Sequence, residues 1–152
     1  MVGKQCLTVC PSCETTFFRD PKLVVTALIE QDGRVLLVQR DIEPGRGLWG
    51  LPGGYVDWNE HPETAMVREC EEETGAQVVP QGLARVLHVV RDDQGIVILA
   101  YRASLIGGEL TARDEVQDVA WFKPDAFPPL AFATHRQLLL DWATEVRRRG
   151  AA

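Results

Sequence analysis

The chain has 152 residues, of which 45% are hydrophobic and 25% charged, and its formal net charge at pH 7 is -6. This length and apolar content suit one ordinary domain with a buried core and exclude an intrinsically disordered chain. The negative charge gives no reason to expect binding to a nucleic-acid backbone, and no apolar run is long enough to span a membrane. Residues 1–11 lack the apolar core and cleavage site of a signal peptide, so we expect a cytoplasmic protein.

The predicted elements alternate between strands and helices. Two β-branched apolar runs flank Asp32-Gly33, a pair typical of a hairpin turn. A helix should begin at Pro62, because proline suits the first helical turn, and should end before Gly75, a natural C-cap. In chain order we predict a Cys-rich lead (6–18), strands (23–29 and 35–38), a loop (42–50), a helix (62–74), strands (78–90, 96–105 and 116–122) and a closing helix (134–149).

This order of elements predicts an α/β or α+β fold, with a mixed sheet between the first helix and the closing helix. Leu138, Leu139 and Trp142 should form the buried side of the closing helix. There is no internal repeat and no linker long enough to divide the chain. We therefore expect a short Cys-containing hairpin over residues 1–20 and one larger domain over 21–152.

Three carboxylates mark the first helix as a site. Glu69, Glu72 and Glu73 stand at i, i+3 and i+4, which puts them on one outward face, while Cys70 and Thr74 face the sheet together with Val67. Like charges so placed repel one another unless a cation lies between them. Mg²⁺ takes oxygen ligands and would relieve that repulsion. The alternative is an ordinary acidic helix that faces solvent.

The segment from residue 54 to 76, GYVDWNEHPETAMVRECEEETGA, resembles the Nudix box, G-x5-E-x7-R-E-U-x-E-E-x-G-U, in which U is usually a bulky aliphatic residue. The two U positions hold the smaller Cys70 and Ala76, neither of which is expected to bind a ligand. The positions that match the pattern in type and spacing are Gly54, Glu60, Arg68, Glu69, Glu72, Glu73 and Gly75.

The resemblance implies a fold, a reaction and roles. The fold is the Nudix α/β/α sandwich, and the reaction is Mg²⁺- or Mn²⁺-dependent hydrolysis of a nucleoside diphosphate linked to another group. Arg68 would orient the helix carboxylates, and Glu60 would be an outer metal ligand or a charge partner. Gly54 would let the backbone approach the metal, to which a carbonyl near Gly53 or Gly54 would bind. The resemblance implies Glu69, Glu72 and Glu73 as the remaining metal ligands. It also implies a catalytic role for Glu72 and Glu73.

The general base and the substrate contacts lie outside the helix. Glu115 precedes a predicted strand and is our candidate base; the alternatives are an ordinary turn acid there and a box glutamate as the base. Arg40 ends a strand and is a candidate phosphate ligand, or else a solvated arginine. Trp58 is a candidate for stacking on a nucleobase, whereas Trp49 is expected to pack in the core. The three histidines are isolated from one another and suggest no zinc-hydrolase triad.

Cys6, Cys10 and Cys13 form a C-x3-C-x2-C cluster near the N-terminus. Its CPSC part resembles one knuckle of the zinc ribbon that precedes some Nudix domains, notably NADH pyrophosphatases. A structural zinc ion usually takes four ligands, commonly from two CxxC pairs, but here the first pair is absent and only Cys6 offers a third sulfur. The alternatives are therefore a structural zinc site, a vestigial knuckle, and a hairpin whose cysteines are free thiols.

The C-terminal stretch DVAWFKPDAFPPLAFATHRQLL resembles that of small Nudix proteins often assigned to ADP-ribose. It implies ADP-ribose or a related nucleotide sugar as the small-molecule substrate, with no nucleic-acid or membrane partner and with a homodimer left open. NAD(H) hydrolysis is a rival because of the cysteine knuckle, and hydrolysis of damaged nucleoside triphosphates is another. A non-catalytic ligand sensor is disfavoured because such proteins typically lose box glutamates.

Overall fold

The structure is a computed structural model and describes residues 7–151. Within this range the chain forms nine strands and two helices. They are β1 (Thr8–Val9), β2 (Thr16–Phe17), β3 (Lys22–Gln31), β4 (Arg34–Arg40), β5 (Trp49–Gly50), β6 (Gly53–Tyr55), α1 (Pro62–Thr74), β7 (Gln77–Arg91), β8 (Gln94–Gly107), β9 (Val116–Phe122) and α2 (Ala133–Gly150).

Seven strands form one mixed sheet in the order β5-β4-β3-β8-β7, with β6 paired to β3 and β9 paired to β4. The β3 and β8 strands run parallel, and the other pairs in this sheet are antiparallel. Asp32 and Gly33 both have positive φ, 51° and 69°, at the tight turn between β3 and β4. The predicted hairpin is therefore present.

The strands β3 and β4 stay paired only next to their turn, at Glu30↔Val35 and Gln31↔Arg34. Farther along, β3 pairs with β6, while β4 pairs with β5 and β9. The Pro52 carbonyl lies between the diverging strands and accepts hydrogen bonds from the Ala27 N–H, at 2.9 Å, and the Thr26 hydroxyl, at 3.1 Å. This divergence carries the segment before α1 into the middle of the sheet.

Two apolar cores lie on opposite faces of the sheet. Alternate residues of β3 and β4 point to opposite sides, as the pleat requires. On one side Met66 and Cys70 of α1 pack against the sheet; on the other side Leu138, Leu139 and Trp142 of α2 do so. The predicted α/β/α sandwich and the buried side of α2 are therefore confirmed.

The predicted long strands and both helices are present, with ends that differ by a few residues. Two very short strands were not predicted: β5, which lies in the segment 42–50 assigned to a loop, and β6, which lies in the glycine-rich segment after it. Their pairing partners are remote in sequence, so local composition carries no signal for them.

The N-terminal β1 and β2 form the expected Cys-containing hairpin as a separate two-stranded sheet. Arg19 contacts the Asp93 carboxylate at 2.7 Å, and the Gln94 amide donates to the Asp20 carbonyl at 3.1 Å. The division of the chain at residue 20 stays a prediction. Neither described helix has the length and apolar character needed to cross a membrane.

Candidate active site

The helix α1 begins and ends as its sequence predicts. Pro62 occupies the first turn, and the Glu63 N–H donates to His61 Nδ1 at 3.2 Å. At the other end Gly75 adopts a left-handed conformation, with φ of 71°, and donates its N–H to the Glu71 carbonyl. These caps fix the register in which the glutamates face β6.

Arg68 contacts three carboxylates at once. Its Nε and Nη2 donate to the two carboxylate oxygens of Glu60, both at 2.8 Å. Its Nη1 donates to Glu69 at 3.0 Å and to Glu72 at 3.1 Å, and Nη2 also donates to the Tyr55 carbonyl. The bidentate contact holds the pKa of Glu60 down at about 2, and the same contact raises the pKa of Arg68 above its ordinary value. Glu60 therefore occupies the position of a charge partner to Arg68.

Glu73 lies apart from this network. Its side chain was expected to face outward, but the residue is only 8% exposed, and its Oε2 accepts a hydrogen bond from the Gly53 N–H at 3.0 Å. Burial raises the pKa of Glu73 to about 8, with the nearby Glu69 and Glu115 charges adding to the shift and Gly53 and Arg40 opposing it. The outward assignment was wrong because the β6 backbone covers this part of the helix.

Gly53 and Gly54 of β6 allow the β6 backbone to approach α1 closely. Gly53 has a φ of 155°, and a Cβ there would lie 2.1 Å from the Val25 carbonyl oxygen. A Cβ on Gly54 would lie 2.5 Å from Oε1 of Glu69. Burial raises the pKa of Glu69 as well, with Arg68 opposing the shift and Glu72 and Glu115 adding to it. Neither position tolerates a side chain without moving the backbone or a carboxylate.

Glu115 lies in the exposed loop before β9, next to a left-handed Asp114 with φ of 48°. Its carbonyl accepts a hydrogen bond from the Asp41 N–H at 2.8 Å. Although it is far from the box in sequence, its charge acts on Glu69, Glu73 and Arg40. The fold thus places Glu115 close enough to α1 for its charge to act on the helix carboxylates.

A cavity of about 450 Å³ opens beside Gly53 and Gly54. Its lining combines apolar strand residues, two arginines, two aromatic residues (Tyr55 and Phe132) and a histidine. The lining includes Val24, Val89, Ile96 and Ile98 from the strands, Arg40 and Arg91 at strand ends, Pro44 from a loop, and Phe132 and His135 from the start of α2.

Arg40 lies at the junction of this cavity and the carboxylates. Its Nε donates to the Pro44 carbonyl at 2.8 Å. Its pKa is lowered mainly by burial, while the charges of Glu73 and Glu115 oppose that effect. The guanidinium carbon lies 4.9 Å from the centre of the Phe132 ring. The residue proposed for phosphate binding is therefore within reach of both the box and the cavity.

The sequence did not predict a role for Phe132, Arg91 or His135. Arg91 lies over the Phe132 ring at 5.1 Å, so two guanidinium groups flank one aromatic side chain. The only sequence signal was the aromatic residue at the expected N-terminus of α2, where the structure finds Phe132 as the N-cap residue. Nothing local to Arg91 marks it, because β7 reaches the site only through the sheet.

The two tryptophans have different positions. Trp49 packs edge-on against Phe122, with ring centres 5.0 Å apart, and belongs to the core under α2, as expected. Trp58 is 95% exposed in the loop before α1 and does not line the cavity. Two aromatic residues line the cavity, Tyr55 and Phe132, and the stacking role of Trp58 stays a prediction that its position outside this lining does not support.

The cysteine hairpin gives no support to a zinc site. Cys10 and Cys13 are free thiols, and Cys6 lies outside the described residues. Across residues 7–151 no three His, Cys, Asp or Glu side chains converge on one metal position. Because one of the three predicted ligands lies outside the described residues, the choice between a zinc site and free thiols stays a prediction.

Residues 20–143 match the NUDIX domain family. The chain belongs to the Nudix family. It is a Nudix hydrolase, an enzyme that acts on phosphoanhydride bonds. The match spans the sheet, α1 and most of α2, and it confirms the predicted family and the predicted class of reaction, hydrolysis of a phosphoanhydride bond.

Three similar proteins illustrate the range of the family. The ADP-ribose pyrophosphatase of Methanocaldococcus jannaschii is 37% identical over 80% of this chain and 73% of its own. The NAD-capped RNA hydrolase NudC of Pseudomonas aeruginosa is 30% identical over 94% of this chain and 51% of its own. The crystal structure of a NUDIX hydrolase from Nitrosomonas europaea superposes with a TM-score of 0.83 at 30% identity, covering 90% of this chain and 78% of that one.

Nudix hydrolases generally use Mg²⁺ or Mn²⁺, and the residues of this Nudix domain fit such an ion. Carboxylate oxygens are the ligands that hard divalent cations prefer. Burial raises the pKa of Glu69 and of Glu73, and a cation beside them would favour their charged forms. In the described residues Arg68 contacts Glu69 and Glu72, the Gly53 N–H contacts Glu73, and the Glu72 side chain is half exposed.

Proposed function

We propose that this Nudix enzyme hydrolyses ADP-ribose or a related nucleoside diphosphate sugar. The observation that carries the proposal is the cavity of about 450 Å³ beside Gly53 and Gly54, with Arg40 between it and the buried Glu73. An apolar lining with two aromatic rings suits a nucleoside, and the guanidinium suits the diphosphate. The 37% identity to an ADP-ribose pyrophosphatase supports the same substrate class.

In this proposal Glu69, Glu72 and Glu73 hold Mg²⁺ or Mn²⁺, with a carbonyl at Gly53 or Gly54 as a further ligand. When bound, the ion neutralises diphosphate charge and lowers the pKa of water. Arg68, fixed by Glu60, orients Glu69 and Glu72.

Glu115 accepts the proton of the attacking water, and Arg40 binds a phosphate oxygen of the substrate. The Glu115 side chain lies in an exposed loop and acts electrostatically on Glu69 and Glu73, which supports this assignment. Since phosphoryl transfer depends mainly on position and charge, no covalent nucleophile on the protein is needed.

A substrate panel tests the proposal. The enzyme is incubated with Mg²⁺ and ADP-ribose, NADH, nucleotide sugars, dinucleoside polyphosphates or oxidised nucleoside triphosphates, and phosphate is measured after phosphatase treatment. We expect the highest kcat/KM for ADP-ribose or a nucleotide sugar. A higher value for an oxidised triphosphate than for every diphosphate sugar would contradict the proposed substrate class.

NAD(H) is the second candidate substrate. The β1–β2 hairpin with its CPSC sequence is the observation that favours it, together with the alignment to NudC over 94% of the chain. The same panel separates the two candidates, because NADH hydrolysis releases NMNH and AMP. The substrate is proposed to be a small molecule and not a nucleic acid, in keeping with the net charge of -6. Cytoplasmic localisation stays a prediction.

A homodimer formed through β7 is a further part of the proposal. This strand ends the sheet, and its exposed apolar side chains include Leu83, Val86 and Val90. An exposed apolar edge strand favours pairing with a second copy. Light scattering after size exclusion should give twice the mass of the chain, and Val86→Lys should give the monomer mass.

A further inference from the structure

His135 is held rigidly in the cavity wall. It lies in the first turn of α2, is only 8% exposed, and accepts a hydrogen bond from the Leu51 N–H at its Nδ1, at 3.0 Å. A Cβ on Gly50 would lie 2.7 Å from that nitrogen, so the imidazole packs directly on the backbone before the box. The Phe132 ring meets it edge-on at 5.1 Å between centres.

The backbone contact fixes the tautomer of this imidazole. A nitrogen that accepts a hydrogen bond carries no proton, so the proton of the neutral ring is on Nε2. Burial and the nearby positive charge of Arg40 lower the pKa of His135 to about 4. The ring is therefore neutral at pH 7, with one N–H donor.

This donor is available to a ligand. Among the residues described, Nε2 has no hydrogen-bond partner. Every fully buried side-chain nitrogen or oxygen there has a partner, so Nε2 is not fully buried. It therefore retains access to solvent, and His135 contributes to the cavity lining beside Phe132. Most buried polar side-chain atoms in proteins have a hydrogen-bond partner, and here the described residues supply one for Nδ1 and none for Nε2.

We propose that His135 is a specificity residue that donates its Nε2–H to a ring-nitrogen or carbonyl acceptor of the substrate's nucleobase. The base lies against Phe132, over the apolar floor that Ile96 and Ile98 provide. This inference rests on the proposed function, because it assigns the cavity to the nucleoside half of the substrate. A site with a buried donor discriminates strongly against ligands that leave the donor unpaired.

Binding of AMP and of ribose 5-phosphate, which lacks the base, tests the proposal by calorimetry in EDTA. His135→Phe keeps a ring of similar shape without the donor, and His135→Gln keeps both an acceptor and a donor. We expect His135→Phe to weaken AMP binding about tenfold, the scale of one lost hydrogen bond with its partner left unpaired, and to leave ribose 5-phosphate binding unchanged. His135→Gln should recover most of the loss. His88→Phe, the same change at an exposed position on β7, is the matched control.

Unchanged AMP binding in His135→Phe would overturn the inference, as would an equal loss for both ligands or AMP binding no tighter than that of ribose 5-phosphate in the wild type. If His135→Phe does not fold, the ¹⁵N shift of the wild-type Nε2 decides: it should move on AMP addition and not with ribose 5-phosphate. The substrate panel tests the proposed function separately. If the enzyme hydrolyses ADP-ribose but the His135 variants bind AMP as the wild type does, this inference is wrong and the proposed function is not affected.

Discussion

The Gly53 N–H donates a hydrogen bond to the Glu73 carboxylate at 3.0 Å, across a separation of twenty residues. This contact joins the strand that enters the box to the end of the helix that carries it. It holds Glu73 in a buried position, where burial raises its pKa to about 8. The catalytic role proposed for Glu73 and the stability of the fold therefore depend on the same carboxylate.

Glu73→Gln should lower kcat by about a hundredfold or more, the scale of one lost electrostatic contributor, because the amide has no charge to bind a divalent ion. Activity should require Mg²⁺ and disappear in EDTA. Glu71→Gln, an exposed change two residues away on the same helix, should keep wild-type turnover. Turnover near the wild-type rate in Glu73→Gln would contradict the assignment of the metal ligands.

In EDTA the same Glu73→Gln variant should be more stable than the wild type, and the difference should grow with pH. The folded-state pKa of about 8 lies above the ordinary value of 4.5, so the folded protein retains a proton that the unfolded chain has lost. Stability of the wild type therefore falls as pH rises between these values, by about 1.4 kcal/mol per pH unit at most. Urea unfolding at pH 6 and pH 8 measures the difference in the free energy of unfolding between the variant and the wild type. An equal difference at the two pH values would contradict this prediction.

Glu60→Gln should lower kcat/KM by about tenfold while leaving the fold intact. The bidentate contact at 2.8 Å fixes Arg68, and without it the guanidinium is free to follow Glu69 and Glu72. Positioning errors of this kind affect the transition state more than substrate binding. Steady-state kinetics measures the effect, with Glu63→Gln as the control. An unchanged kcat/KM would show that Arg68 needs no partner.

Glu115→Gln should lower kcat more than it changes KM, because a general base acts in the transition state. Asp125→Asn, in the loop after β9, is a control with the same loss of charge. If only KM changes, Glu115 binds substrate or a peripheral metal, and the base must be a box glutamate.

Phe132→Ala should raise the KM for ADP-ribose about tenfold, the scale of one lost stacking contact on a base. Trp58→Ala should change neither KM nor kcat, because the Trp58 side chain is almost fully exposed and does not line the cavity. Measuring both variants side by side compares Trp58, the candidate from the sequence, with Phe132, which lines the cavity. A larger effect from Trp58 would reverse that conclusion.

The double variant Cys10→Ser, Cys13→Ser should keep the wild-type kcat with Mg²⁺. The thiols lie in the β1–β2 hairpin, which pairs with itself and makes a sheet separate from the one that carries the site. Metal analysis of the purified wild type tests the zinc question independently. A variant that folds normally yet loses turnover would show that the hairpin shapes the active site.

The sequence by itself determined the features that depend on neighbours along the chain. The glutamate spacing on α1, its proline start and its glycine end follow from helical periodicity and capping, which need only adjacent residues. The β3–β4 turn at Asp32-Gly33 follows from backbone preferences in the same way. The Nudix resemblance of this one segment then implied the sandwich and the reaction.

The tertiary structure decided what depends on residues far apart. It buried Glu73 under β6, although the helical pattern alone placed that carboxylate outside. It brought Arg91, Phe132 and His135 to one cavity from the end of β7 and the start of α2. The physical reason is that desolvation and cavity shape arise from long-range strand pairing, whose partners leave no periodic signal in either segment.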